Sequence, residues 1–214
     1  MSVRHWMITD KGDLDCLRLV DGIGFDNVPH YSRQQPGTRQ FTRNGQNLVF
    51  ITRDYLAVWV TFRPTPGKAT RSDGRDCWEC ALFCNRGSRC EQSSKLIREA
   101  VELSCAIWGP FPLDGFITYI KPDRIKSKIP GYCYRCAGWV RCGASKDGKP
   151  MLRAPRPKLI PSITEWGFAP NRGGKYRSEL EAQGIQLLLS DDYQILGDAP
   201  LEGGFYDSDE AKTC

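Results

Sequence analysis

A mixed α/β (α+β) fold built on a largely antiparallel central sheet is what this sequence predicts, and three observations carry it. Residues 47–52, 55–63 and 77–85 are runs rich in β-branched and aromatic side chains, divided by polar connections, as an antiparallel meander requires. The third run passes through a basic, glycine-bearing turn into a segment whose Leu96, Ala100, Leu103 and Ile107 fall on one helical face. A further apolar run, 115–120, follows that helix. It is reached through a crossover, so it pairs with its predecessor in parallel.

In chain order, residues 5–20 suit a strand and a short helix. Residues 29–45 are dense in turn formers, arginine and aromatic rings, which predicts an exposed loop. The run 55–63 alternates Leu56, Val58, Val60 and Phe62 against Trp59 and Thr61, and Arg53-Asp54 joins it to the run before. A Pro/Gly/Lys/Arg loop over 64–75 leads to the third strand. Ser93 or Ser94 is expected to cap the helix, with Ile97 and Val101 joining its buried stripe and Arg98, Glu99 and Glu102 outside. Trp108-Gly109-Pro110 stops it. After the strand 115–120, a short helix fits 130–137, ended by Gly138. Residues 139–143 and 150–153 read as a hairpin around Lys146-Asp147-Gly148-Lys149. Beyond Pro155 the chain turns proline-rich and offers one helix, 178–189, whose Leu180, Ile185 and Leu188 would dock on the body. The last ~16 residues are acidic and expected to be mobile. This divides the chain into a domain over 1–154, with its core at about 47–153, and a C-terminal extension over 155–214.

The 214 residues are 40% hydrophobic and 11% aromatic, enough for a packed core and too much for global disorder. No apolar run approaches the ~20 residues of a membrane span. Met1 to Trp6 holds no hydrophobic signal core, so a soluble, cytoplasmic protein with no membrane partner is expected. The formal net charge of +5 hides an asymmetry. Residues 29–72 carry seven Lys or Arg against one acid, and residues 121–158 carry eleven against two, whereas beyond Leu159 there are four bases and ten acids. Such a basic body with an acidic tail suits a polyanionic partner, with the tail guarding the basic face; an ordinary solvated surface is the rival reading. Ten cysteines without a leader imply reduced thiols. The pairs Cys77/Cys80 and Cys133/Cys136 invite a four-thiolate zinc site, but residues three apart in a strand point to opposite faces, and no metal ligand is assigned.

The richest segment runs from Leu82 through Ala100. Strand, basic turn and helix in that order aim backbone N–H groups, a helix N-terminus and guanidinium groups at one point, which suits phosphate or pyrophosphate. Arg86, Gly87, Ser88, Arg89, Ser93 and Ser94 are the residues of this anion cradle. The turn is neither a G-x-G-x-x-G fingerprint nor a P-loop.

The order of three antiparallel strands, phosphate-type turn, helix, strand, short helix and two strands resembles the GNAT N-acetyltransferase fold over about residues 47–153. Asn85-Arg86-Gly87-Ser88 through Ser94 stands where that fold keeps its acyl-CoA pyrophosphate loop. Gly131-Tyr132-Cys133-Tyr134-Arg135-Cys136-Ala137-Gly138-Trp139 looks like its late helix. The loop departs from the usual spacing, since 88–92 holds no second glycine. More narrowly, His30-Tyr31-Ser32, Asp123 and the Tyr132/Tyr134 helix are similar to phage-encoded Mom-type proteins, which modify adenine in DNA. The resemblance implies a transferase acting in the cytoplasm of a bacterial host, with acyl-CoA or another anionic group donor as cofactor and DNA as partner. Within it, Tyr134 or Tyr132 would give a proton to the leaving group, and Asp123 or His30 would act as base or hold a metal ion such as iron. Tyr31 belongs with His30. Arg33, Arg39 and Arg43, interleaved with Tyr31 and Phe41, would meet phosphates and stack on bases. The alternatives are an acetyl-CoA-dependent N-acetyltransferase on a small molecule or protein, and a non-catalytic DNA-binding or zinc-stabilised interaction protein.

Overall fold

The computed structural model describes residues 4–64, 77–125, 128–163 and 166–169. Among them the chain forms β1 (Trp6–Thr9), α1 (Leu14–Asp21), β2 (Gln46–Thr52), β3 (Ala57–Arg63), β4 (Trp78–Asn85), α2 (Ser93–Trp108) and β5 (Phe116–Tyr119). A 3-10 turn (Pro122–Arg124), α3 (Tyr132–Cys136), β6 (Val140–Ala144), β7 (Pro150–Arg153) and the two-residue β8 (Gly167–Phe168) complete it. The expected helix 178–189, the acidic tail and nearly all of the 64–75 loop lie outside the described residues.

One mixed sheet of eight strands runs in the order β6-β7-β5-β4-β3-β2-β1-β8. The pairings β1–β2, β2–β3, β3–β4, β5–β7 and β6–β7 are antiparallel, and β4–β5 and β1–β8 are parallel. Both faces are covered, which is why Leu48–Ile51 and Ala57–Val60 are buried without alternation. On one face Cys16, Leu19 and Val20 of α1 pack on Val49, Ile51, Val58, Val60 and Leu82. On the other, Leu96, Ile97, Ala100 and Leu103 of α2 and Tyr134 of α3 meet Leu48, Phe50, Trp59 and Phe116.

Local chemistry sets the ends of these elements. The Asp13 carboxylate caps α1 by accepting from the amides of Asp15 and Cys16, and Gly22 closes it at φ 72°. β3 begins two residues later than its composition suggests, because Thr52 Oγ1 accepts from the amides of Leu56 and Ala57 and holds a turn there. Neither Ser93 nor Ser94 caps α2. Gln92 takes that position without a side-chain cap, and Ser93 Oγ instead accepts from Asn85 Nδ2 at 3.0 Å.

Two expectations about exposure are corrected. Glu99 lies inside, not on the outer face of α2. Its Oε1 accepts from the amide of His5 (2.7 Å) and the indole of Trp166 (3.1 Å), and its Oε2 meets His5 Nδ1 at 2.8 Å. The segment 29–45 has an interior of its own. Arg33 is buried, its guanidinium paired with Asp21 (2.5 Å) and donating to the carbonyls of Thr38 (2.6 Å), Gln40 (2.8 Å) and Gln34. Phe41 is fully buried beneath α1. A guanidinium with its donors spent this way holds a loop in shape, and a ring with no exposed face cannot stack on a base.

The feature that positions the site is a split in the sheet. β4 and β5 pair only at Trp78–Phe116 and Glu79–Ile117, then part. An irregularity at Val60/Thr61 in the β3–β4 pairing accompanies the parting. In open α/β sheets a ligand settles beyond the carboxyl ends of parallel strands, where such a gap leaves room.

Candidate functional site

Two hollows open around the split. A large cleft of about 1140 Å³ is lined by His30, Arg86, Ser93, Asp123, Tyr132 and Tyr134 among others. A smaller one, about 300 Å³, is bounded by Arg43, Glu79, Cys80, Thr118 and Lys149. Tyr31, Phe83, Lys121 and Tyr134 line both. The two spaces therefore share a wall of four residues at the place where β4 and β5 diverge.

Tyr134 stands at that wall because α3 starts from Gly131, held at φ 75° against Ile120 and Leu152; an added Cβ would come within 3.1–3.2 Å of both side chains. The Tyr134 hydroxyl lies 3.2 Å from Cys80 Sγ, and its ring meets Phe83 and Trp139 edge-on at 6.3 and 5.1 Å. Burial, then the neighbouring Cys80, Tyr31 and Cys133, hold its pKa well above the ordinary phenol value. Burial raises the Cys80 thiol too, so this sulfur is a proton-bearing partner and no ready nucleophile. Tyr31 is raised for the same first reason, and Lys121 Nζ donates to its carbonyl at 3.4 Å.

His30 is driven the other way, to a pKa of about 4, by burial and then by the positive charge of Arg86. Its Nδ1 accepts from the Ser32 amide at 3.2 Å, which assigns the remaining ring proton to Nε2. The imidazole is neutral at pH 7 and a weak base. Asp123 is an exposed side chain on the rim, 3.5 Å from Arg124 Nε, and Tyr132 is 45% exposed.

The glycine-arginine turn is tightly self-bonded. Asn85 Oδ1 accepts from the amides of Gly87 (2.9 Å) and Ser88 (2.8 Å). The Asp54 carboxylate accepts from the Arg89 amide at 2.8 Å and from Ser88 Oγ at 2.9 Å. Arg86 pairs with Asp26 at 2.9 Å and donates to the carbonyls of Leu19 and Val28. Arg86 and Ser93 face the cleft, and α2 brings its N-terminal end there with no acid in its first turn.

Of the residues expected from sequence, the fold gathers His30, Tyr31, Arg86, Ser93, Asp123, Tyr132 and Tyr134 around one cleft. Gly87, Ser88 and Arg89 stand in the self-bonded turn, and Ser94 is buried. Arg39 is exposed, and Arg43 sits at the smaller hollow, 2.7 Å from Glu79 and over the Phe62 ring. Sequence reasoning missed Phe83, Lys121 and Lys149. Lys121, at the end of a strand just before Pro122-Asp123, carried a positional signal. The other two carried none. No family model, no curated protein and no solved structure matches this chain. Among the described residues no group of three or more His, Cys, Asp and Glu side chains is placed to hold a metal, and no helix is long and apolar enough to cross a membrane. Cys77 packs with Ile117 and Met151 while Cys80 faces Tyr134, so these two thiols point apart.

Proposed function

We propose that this protein is a GNAT-like transferase that modifies an amine of a nucleobase in DNA, in the manner of Mom-type adenine modification. The observation that carries the reading is the pair of hollows sharing Tyr134 where β4 and β5 part. Transfer between two substrates needs a donor site and an acceptor site that touch at one point, and proximity there supplies much of the rate. The large cleft has room for the donor, and the small one for a single planar base drawn out of its stack. The order of strands and helices supports the same family reading, with β4 and β5 parallel neighbours joined through α2.

In the reaction, the exocyclic nitrogen of the base attacks the donor's transferable carbon, and the bond from that carbon to its leaving group breaks. Tyr134 gives its proton to the departing group, and the proton shed by the nitrogen returns to the Tyr134 oxygen through water, which restores the phenol. Its raised pKa keeps that proton in place until negative charge develops beside it. Lys121, at the shared wall, lies where it would steady the same charge. Arg43 and Lys149 at the mouth of the small hollow would meet flanking phosphates.

The test is mass spectrometry of nucleosides from DNA co-expressed with the protein. Wild type should yield a new adduct. Tyr134→Phe, which keeps the ring packing, should cut its yield roughly a hundredfold or more while leaving the fold intact. Unmodified DNA alongside soluble wild-type protein would refute the proposal.

A further inference from the structure

The turn over 85–90 offers successive amides, with Gly87 at φ 97°, as an anion site does, yet the anion it holds belongs to the chain. Asp54, thirty-five positions away in the β2–β3 turn, places Oδ2 at 2.8 Å from the Arg89 amide and 2.9 Å from Ser88 Oγ. Its Oδ1 takes the Thr52 hydroxyl at 2.6 Å and the Leu56 amide at 3.2 Å. Both oxygens are thus in use, and the carboxylate is fixed from two sides. The amides of Gly87 and Ser88 are taken by the neutral Asn85 side-chain carbonyl, that of Cys90 by Ser88 Oγ and that of Arg86 by the Leu56 carbonyl.

A phosphate entering this turn would have to displace a fixed carboxylate or lie beside it, and two anions sharing one set of donors repel. We propose that Asp54 is a specificity-determining residue which closes this turn to phosphate, so that the donor is not held here by a pyrophosphate as acyl-CoA would be. This rests on the transferase reading only for what it says of the donor. The large cleft, lined by Ser93, Lys121 and Arg124 among others, offers other polar groups to whatever anionic part the donor has.

Burial alone would raise the Asp54 pKa, but hydrogen bonds from Thr52, Ser88, Arg89 and Leu56 outweigh it and the net shift is downward. The charge is therefore present throughout the neutral range, and the closure with it.

The experiment titrates inorganic pyrophosphate, and separately coenzyme A, into wild type, Asp54→Asn and Asp54→Ser. Calorimetry gives affinity, and backbone amide NMR shifts at Gly87, Ser88 and Arg89 give location. Wild type should show no saturable shift at those three amides. Asp54→Asn, which keeps the shape and one acceptor oxygen but loses the charge, should bind pyrophosphate there at least roughly tenfold more tightly than wild type. Saturable shifts at the three amides in wild type would overturn the proposal whether or not either variant folds. So would folded variants with no gain. Neither readout needs transfer activity, so the result stands apart from the nucleoside experiment. A wild type that modifies DNA but binds pyrophosphate at this turn would sink the role of Asp54 alone.

Discussion

His30 and Tyr134 stand at one opening, and the same leading cause, the loss of water, drives them in opposite directions. The imidazole is pushed to about 4 and the phenol upward, because each side chain is held in its uncharged form. The unfolded imidazole, near 6.5, takes up a proton that the folded one refuses between about pH 4 and 6.5. Stability should therefore fall as pH drops from 6.5 toward 4, with no further loss from this group below that. Chemical denaturation across that range should show the slope in wild type and lose it in His30→Asn, and an NMR titration should place the midpoint near 4. A midpoint near 6.5 would remove the argument. The place of Tyr134 in the fold was legible in the sequence, since a short helix fits 130–137 with Gly138 to end it, and the helix found is Tyr132–Cys136. Asp54 was not. Its partners Ser88 and Arg89 lie thirty-four and thirty-five positions on, and nothing local to Arg53-Asp54-Tyr55 announces them.

At the level of elements, α2 shows how far periodicity reaches. Its span and apolar stripe follow from spacing, and the observed Ser93–Trp108 agrees with them. Glu99 escaped because it sits beside Arg98 and near Glu102 in a charged run, and only the docking of the N-terminal strand buries it. A carboxylate that accepts from an amide, an imidazole and an indole joins three distant segments at one place. Glu99→Ala leaves those donors without an acceptor and should cost about 2–4 kcal/mol, read from the shift in urea midpoint, with Glu99→Gln costing less. An unchanged midpoint would mean that water replaces the carboxylate freely. The 29–45 segment failed for a related reason. Composition marks it as a loop, which it is, but cannot say that Arg33 turns inward to bind its own carbonyls.

For the molecule as a whole, the sheet order decides what composition could only count. The basic stretch 121–158 includes β6 and β7, which lie on the β5 side of the split. Lys121 and Lys149 reach the small hollow from that side. If DNA is held there, affinity must fall steeply with salt, and Lys149→Ala should lower the slope of log K against log salt by about one. Fluorescence anisotropy of a labelled duplex across a salt series measures it, and an unchanged slope would place the phosphates elsewhere. The excess of charge was legible, but its gathering on one flank was not, because strand order depends on pairings between distant runs.

The sheet's continuity across the split rests on two rungs, Trp78–Phe116 and Glu79–Ile117. The backbone ladder between the meander and the flank with β5, β6 and β7 is thus a short seam, and the shared core under α2 holds the two together beyond it. Past that seam the gap is walled by the side chains of Tyr31, Phe83, Lys121 and Tyr134 in place of backbone rungs, so its width is set by the size of those four residues.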